Sequence, residues 1–88
     1  MAWPKAMPIV EVAWIDSQMA GGWHSVEDMR HAVEQGALEC RTSGYLFCDQ
    51  TDRVTIVGSQ SDSEHVGDGM TIPRRAILSI TTLRDVED

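Results

Sequence analysis

The sequence predicts a mainly β (α+β) fold: five short antiparallel strands wrapped into a small barrel, with one helix between the first and second strands. Three observations carry this. Residues 38–60, LECRTSGYLFCDQTDRVTIVGSQ, read as two strands joined by a tight polar turn. Residues 25–36 begin with a helix-capping serine and end on a glycine. The remaining apolar residues fall in short runs separated by Gly, Pro, Ser and Asp, as expected of short strands.

Residues 1–8 contain Pro4, Pro8 and Trp3 and read as a loose lead-in, with Trp3 tucked against the body. The first strand is expected over 9–15, where Val10, Val12 and Trp14 share one face. Asp16 and Ser17 end it, and a loop with Gly21, Gly22 and Trp23 follows. Ser25 then opens the helix, with Asp28 as the acid of a variant capping box, and Glu27 and Asp28 suit its positive N-terminal end. Val26, Met29 and Val33 recur at helical spacing as a narrow apolar stripe, and Gly36 stops the helix.

The second strand, 38–48, alternates early: Cys40, Thr42, Gly44 and Leu46 on one parity, Glu39, Arg41 and Ser43 on the other. Gly44 marks a bend or a close backbone approach. Asp49–Asp52 supplies turn chemistry, and the β-branched run 53–57 returns as the third strand. Residues 59–69, SQSDSEHVGDG, read as a polar surface loop. A short fourth strand is expected at 70–72, a break at Pro73, a 3₁₀ turn at 74–76 and a last strand at 77–83, with a frayed acidic tail over 84–88. The predicted core is Val12, Trp14, Met29, Val33, Leu46, Val54, Ile56, Ile72, Ile77 and Ile80.

Composition bounds the function. Eighty-eight residues make one domain. Fourteen acids against seven Lys and Arg give a net charge of −7. That disfavours non-specific nucleic-acid binding and attraction to an anionic membrane surface. It suits solubility and a basic protein partner. No apolar run approaches the ~20 residues that span a bilayer, and the N-terminal stretch lacks a secretory pattern, so a cytoplasmic protein is expected. Cys40 and Cys48 stand eight residues apart on one strand; at ~3.4 Å per residue they exceed disulfide reach unless Gly44 bends the strand sharply, and free thiols are expected.

Strand, helix, hairpin, short strand, 3₁₀ turn, strand is the plan of SH3-like and Sm-like barrels, a fold analogy that leaves function open. The ordered set Val12-Ala13-Trp14-Ile15-Asp16-Ser17, Gly22-Trp23, Thr42-Ser43-Gly44-Tyr45-Leu46, Ile72-Pro73-Arg74 and Ile77-Leu78-Ser79-Ile80 resembles a group of small uncharacterised bacteriophage proteins over residues 10–83. The resemblance implies phage origin, hence the host cytoplasm. It carries no agreed activity and so no catalytic residue.

The candidate site residues are Trp14, Asp16 and Trp23, two indoles and a carboxylate able to clamp a planar group or a partner side chain, and the dibasic pair Arg74-Arg75, able to take a phosphate or carboxylate. The competing readings are structural: Trp14 in the core, Asp16 capping the loop, Trp23 stapling the helix entrance, and the arginines paired with surface acids. His24, His31, His65, Cys40 and Cys48 lack close metal-ligand spacing, and Asp62, Glu64 and Asp68 do not form an EF-hand pattern, so no metal or cofactor is expected. The favoured function is a non-enzymatic accessory protein that binds a host protein or a small anionic ligand, one version being the sequestering of a host defence component. The alternative is a small metal-dependent or Cys/His-dependent enzyme using His24, His31 and Cys40. A homo-oligomer is expected too. The last strand has no charge or proline over 77–83 and offers an open edge, with Arg74 and Arg75 near the seam.

Overall fold

The computed structural model describes residues 6–86; the expected packing of Trp3 and the end of the acidic tail lie outside them. The elements are β1 (Ile9–Asp16), α1 (Val26–Glu34), β2 (Leu38–Asp49), β3 (Arg53–Gln60), β4 (Val66–Pro73), a 3₁₀ turn (Arg74–Ala76) and β5 (Ile77–Arg84). All five strands join one antiparallel sheet in the order β4-β3-β2-β1-β5. Among the described residues no ladder joins β4 to β5, so backbone pairing leaves the sheet open rather than closing it into a barrel.

The sheet instead curls around side chains. Val10 and Val12 of β1, Val54 and Ile56 of β3 and Ile72 of β4 form the buried cluster, with Trp14, Leu46, Ala76, Ile77 and Ile80 packed at its margin. β1 and β3 are not neighbours, since β2 lies between them. They meet because β2 presents small side chains beneath β1: Gly44 opposite Val10 and Thr42 opposite Val12. Gly44 does more than leave space. A Cβ placed there would stand 2.8 Å from the Val57 carbonyl oxygen, so the close approach that the sequence suggests is a contact between the backbones of β2 and β3.

Three bulges shape the sheet. The register between β2 and β3 slips at Phe47, and that between β1 and β5 slips at Leu78 and again at Leu83. Each extra residue is apolar and exposed at its bulge. Bulges strengthen twist, which helps a short sheet curl over one core.

Several expectations are corrected. Residues 59–69 are mostly strand: β3 runs on to Gln60 and β4 starts at Val66, leaving a turn tied by Ser61 N–H to the His65 carbonyl at 2.8 Å. A ladder needs only backbone groups, so a polar hairpin can extend beyond the core with both faces wet. Pro73 ends β4 opposite Arg53 rather than lying beyond it; β4 is an edge strand, where a missing N–H breaks no ladder bond. The lead-in is held where it enters the sheet: Met7 is buried, and the Pro8 carbonyl accepts from Leu46 N–H at 2.9 Å. Val10, Ala13 and Val57 are also buried, beyond the expected core.

The largest correction concerns α1. Its termini follow the sequence: Ser25 Oγ accepts from Asp28 N–H at 3.1 Å, and Gly36 takes the left-handed conformation, φ +77°, just beyond the end. Its stripe does not. Met29 and Val33, expected in the core, are exposed, and no residue of α1 is buried. The physical reason is the attachment. Asp16 and Leu38 pair with each other at the ends of β1 and β2, so residues 17–37 leave and re-enter the sheet at one edge of its hydrogen-bonded ladder and extend past it.

Replacing Ile56 with Ala is expected to destabilise the fold by about 2–5 kcal/mol, and Gly44 with Ala by about 1–3 kcal/mol because its new methyl meets backbone. Urea melts followed by circular dichroism measure both. A loss under about 1 kcal/mol at Ile56 would place that residue outside the core.

Candidate functional site

Structural roles in the fold account for three of the five candidate site residues, Trp14, Asp16 and Arg74. Trp14 is half-buried on β1, and its indole N–H donates to Thr42 Oγ1 on β2 at 2.9 Å. That bond satisfies the polar edge of the ring while its body packs on the core. Asp16 closes β1 and accepts from the N–H of Ser17 at 2.8 Å, a local turn bond. Trp23 is fully exposed (102%), so it neither staples the helix entrance nor closes a clamp with Trp14.

The two arginines have different environments. Arg74 is a staple. Its guanidinium binds the Asp49 carboxylate and donates to the Gln50 carbonyl at 2.7 Å, and its backbone N–H donates to the Asp52 carbonyl at 2.8 Å. The three partners are the last residue of β2 and two residues of the β2–β3 turn, so Arg74 fixes the 3₁₀ turn to that hairpin. Arg75 is exposed and has no hydrogen-bond or ion-pair partner among the described residues. One fork is thus engaged, and the pair does not act as one anion-binding unit.

The histidines and cysteines are dispersed. His24 bonds the Gly21 carbonyl at 2.7 Å within its own loop, His31 faces Glu34 at 3.9 Å along α1, and His65 meets Ser63 Oγ at 3.2 Å in the β3–β4 turn. Cys40 and Cys48 are free thiols on β2. No group of three or more His, Cys, Asp or Glu able to hold a metal occurs among the described residues. Among them, too, no helix is long and apolar enough to cross a membrane.

What remains is an apolar surface on the insertion at 17–37. Val26 and Val33 are 70% and 72% exposed, Met29 lies between them on the same stripe, and Trp23 and Met19 flank it on the preceding loop. The stripe borders two shallow hollows. One runs along Val26, Met29 and Val33 beside His24; the other lies between Met19 and Ala20 of the loop and Met29 and Ala32 of the helix. Exposed apolar residues this concentrated mark contact surfaces rather than ordinary solvated ones. The sequence shows the stripe, and the clue that it is not core is its width: three large apolar positions on a helix that also carries Glu27, Asp28, Arg30, His31 and Glu34.

Comparison with protein-family models, curated proteins and solved structures finds no match to this chain.

Arg74→Ala is expected to cost on the order of 1 kcal/mol: its ion pair is screened by solvent, its guanidinium bond to the Gln50 carbonyl is lost, and its backbone bond to Asp52 is kept. Hydrogen exchange at Gln50, whose N–H donates to the Arg53 carbonyl at 2.9 Å, should accelerate in the variant. Unchanged exchange there would show that Arg74 does not hold the turn.

Proposed function

We propose that this chain is a non-enzymatic binding protein that engages another protein through the insertion at 17–37, with Trp23 as the anchor side chain. The observation that carries the reading is the full exposure of Trp23 beside the bare stripe of α1, on a segment that adds nothing to the sheet's own core. Tryptophan is among the side chains that dominate binding energy when buried at the centre of an interface. Set on a rigid sheet whose core is complete without it, such a side chain is available for a partner.

The dispersal of His24, His31 and Cys40 supports this reading over a metal-dependent or Cys/His-dependent enzyme, since those groups do not converge. The engagement of Arg74 by Asp49 supports a protein partner over a small anionic ligand, because it leaves Arg75 alone where two forks would be wanted. The net charge of −7 favours a partner with a basic rim. The 3₁₀ turn between β4 and β5 supports the SH3-like or Sm-like plan. The resemblance to small phage proteins favours a host protein, met in the host cytoplasm, as that partner.

Affinity capture with the tagged protein from extracts of the natural host, followed by mass spectrometry, tests this. Trp23→Ala should weaken capture of the recovered partner by about 2 kcal/mol or more, some thirtyfold, with an unchanged circular dichroism spectrum. Equal capture by wild type and variant would remove Trp23 as the anchor.

A further inference from the structure

We infer that the Asp68–Gly69 link on β4 is a site of spontaneous modification, where the folded chain converts aspartate to isoaspartate through a cyclic imide, with water as the only co-reactant. The inference is independent of the reading of residues 17–37.

The ladder leads to this link. β4 is an outer strand, with β3 on one side and, among the described residues, no strand on the other. Backbone groups of successive strand residues point to alternate sides. Leu46 N–H points toward β1, where it donates to the Pro8 carbonyl at 2.9 Å, so the backbone groups of Tyr45 point toward β3. Tyr45 pairs with Val57, and the Val57 carbonyl oxygen lies 2.8 Å from where a Gly44 Cβ would stand. Val57 therefore directs its hydrogen-bonding groups at β2. Gly69, opposite Val57 on β4, is left with its N–H on the outer, open side of the sheet.

Asp68 is equally unengaged. It is exposed and has φ +56°, a left-handed conformation outside the strand region. The register pairs Val57 with Gly69 and Ser59 with Gly67, and passes over Gly58 and Asp68 between them. The neighbour that Asp68 Cβ faces across this gap is Gly58, which has no side chain to cover it. Among the described residues the Asp68 carboxylate has no hydrogen-bond or ion-pair partner. Other aspartates differ. Asp28 precedes Met29, whose N–H donates to the Ser25 carbonyl at 3.0 Å, and Asp49 precedes Gln50, whose N–H donates to the Arg53 carbonyl at 2.9 Å. Asp68 alone is followed by glycine, whose nitrogen has no side chain to shield it.

The chemistry needs only these two groups. The Gly69 nitrogen attacks Cγ of Asp68 and closes a five-membered ring, an intramolecular step favoured by proximity. A Cγ–N bond forms, the amide proton is lost, and one carboxyl oxygen leaves as water. Nothing is oxidised or reduced. Water then opens the ring at either carbonyl. Opening at the Cγ carbonyl restores aspartate. Opening at the main-chain carbonyl leaves the chain running through the former side chain, one methylene longer, with a free α-carboxylate. That extra length falls where the ladder already skips a pair, on the far side of Gly69 from the core residue Ile72. The sheet is expected to persist with its core intact.

The test holds the whole chain in warm neutral buffer for several weeks, folded in one arm and unfolded in urea in the other. Trypsin then releases residues 54–74 as one peptide. In the folded arm this peptide should split into two chromatographic peaks of equal mass, the new one a substrate for isoaspartate methyltransferase. Fragmentation should place the isomer at position 68 and not at Asp62, and a minor species should lack the mass of one water. The folded and unfolded arms should react at similar rates. Gly69→Val should abolish the new peak: Gly69 has no positive φ, and an added Cβ meets only Val57 Cγ1 at 3.8 Å, so the variant keeps the sheet. Asp68→Asn should form the same ring faster, releasing ammonia in place of water. A folded rate about tenfold or more below the unfolded one shows that the ladder shields the link and overturns the proposal. Isomerisation at Asp62 to the same extent, or persistence of the new peak in Gly69→Val, overturns it as well.

Discussion

The packing of Val10 and Val12 against Val54, Ile56 and Ile72 is the contact on which the rest of this structure depends. It joins strands that share no hydrogen bonds, across a central strand that offers only small groups beneath β1 at Gly44 and Thr42. Each of these five side chains contributes on the order of 1.5–3 kcal/mol when fully buried. Without that cluster the antiparallel ladders would remain a flat ribbon with one wet face, and short flat ribbons are not stable alone. The bulges and the Arg74 staple serve the same end. They curl the ribbon and secure its hairpin, so that the core is finished within the sheet.

A finished core frees the insertion. Because β1 and β2 already pair from Ile9 with Tyr45 to Asp16 with Leu38, residues 17–37 contribute little to folding, and their apolar groups are available for association. The acidic charge of the chain then acts as a filter. It keeps the surface soluble despite exposed Trp23 and Val33, and it opposes casual contact with other acidic proteins.

The sheet was legible in the sequence because its signals are local. Alternation in β1 and β2, the β-branched run in β3 and the punctuation at Pro73 each report on the residues that bear them. Helix ends were legible for the same reason, as the Ser25 cap and the positive φ of Gly36 are set by their immediate neighbours. Two things were not legible. The polar ladder over residues 59–60 and 66–69 carries no periodic side-chain signal, because solvent lies on both faces. The fate of the α1 stripe was also hidden, since Val26, Met29 and Val33 announce that something will cover them and not whether it belongs to the same chain. Among the candidate site residues, Arg74 and Arg75 are adjacent in sequence and identical in type, yet only the fold separates the engaged one from the free one.

The direct pairing of Asp16 with Leu38 has a consequence for what the scaffold tolerates between them. The two ends of the insertion are held one strand spacing apart, about 4.5–5.5 Å between Cα atoms, the gap that an ordinary hairpin turn bridges. To the sheet, residues 17–37 are therefore equivalent to a turn, and the scaffold is blind to what is spliced between those two residues. A segment of different length or sequence joined between those two residues leaves the β1–β2 ladder and the valine and isoleucine core in place.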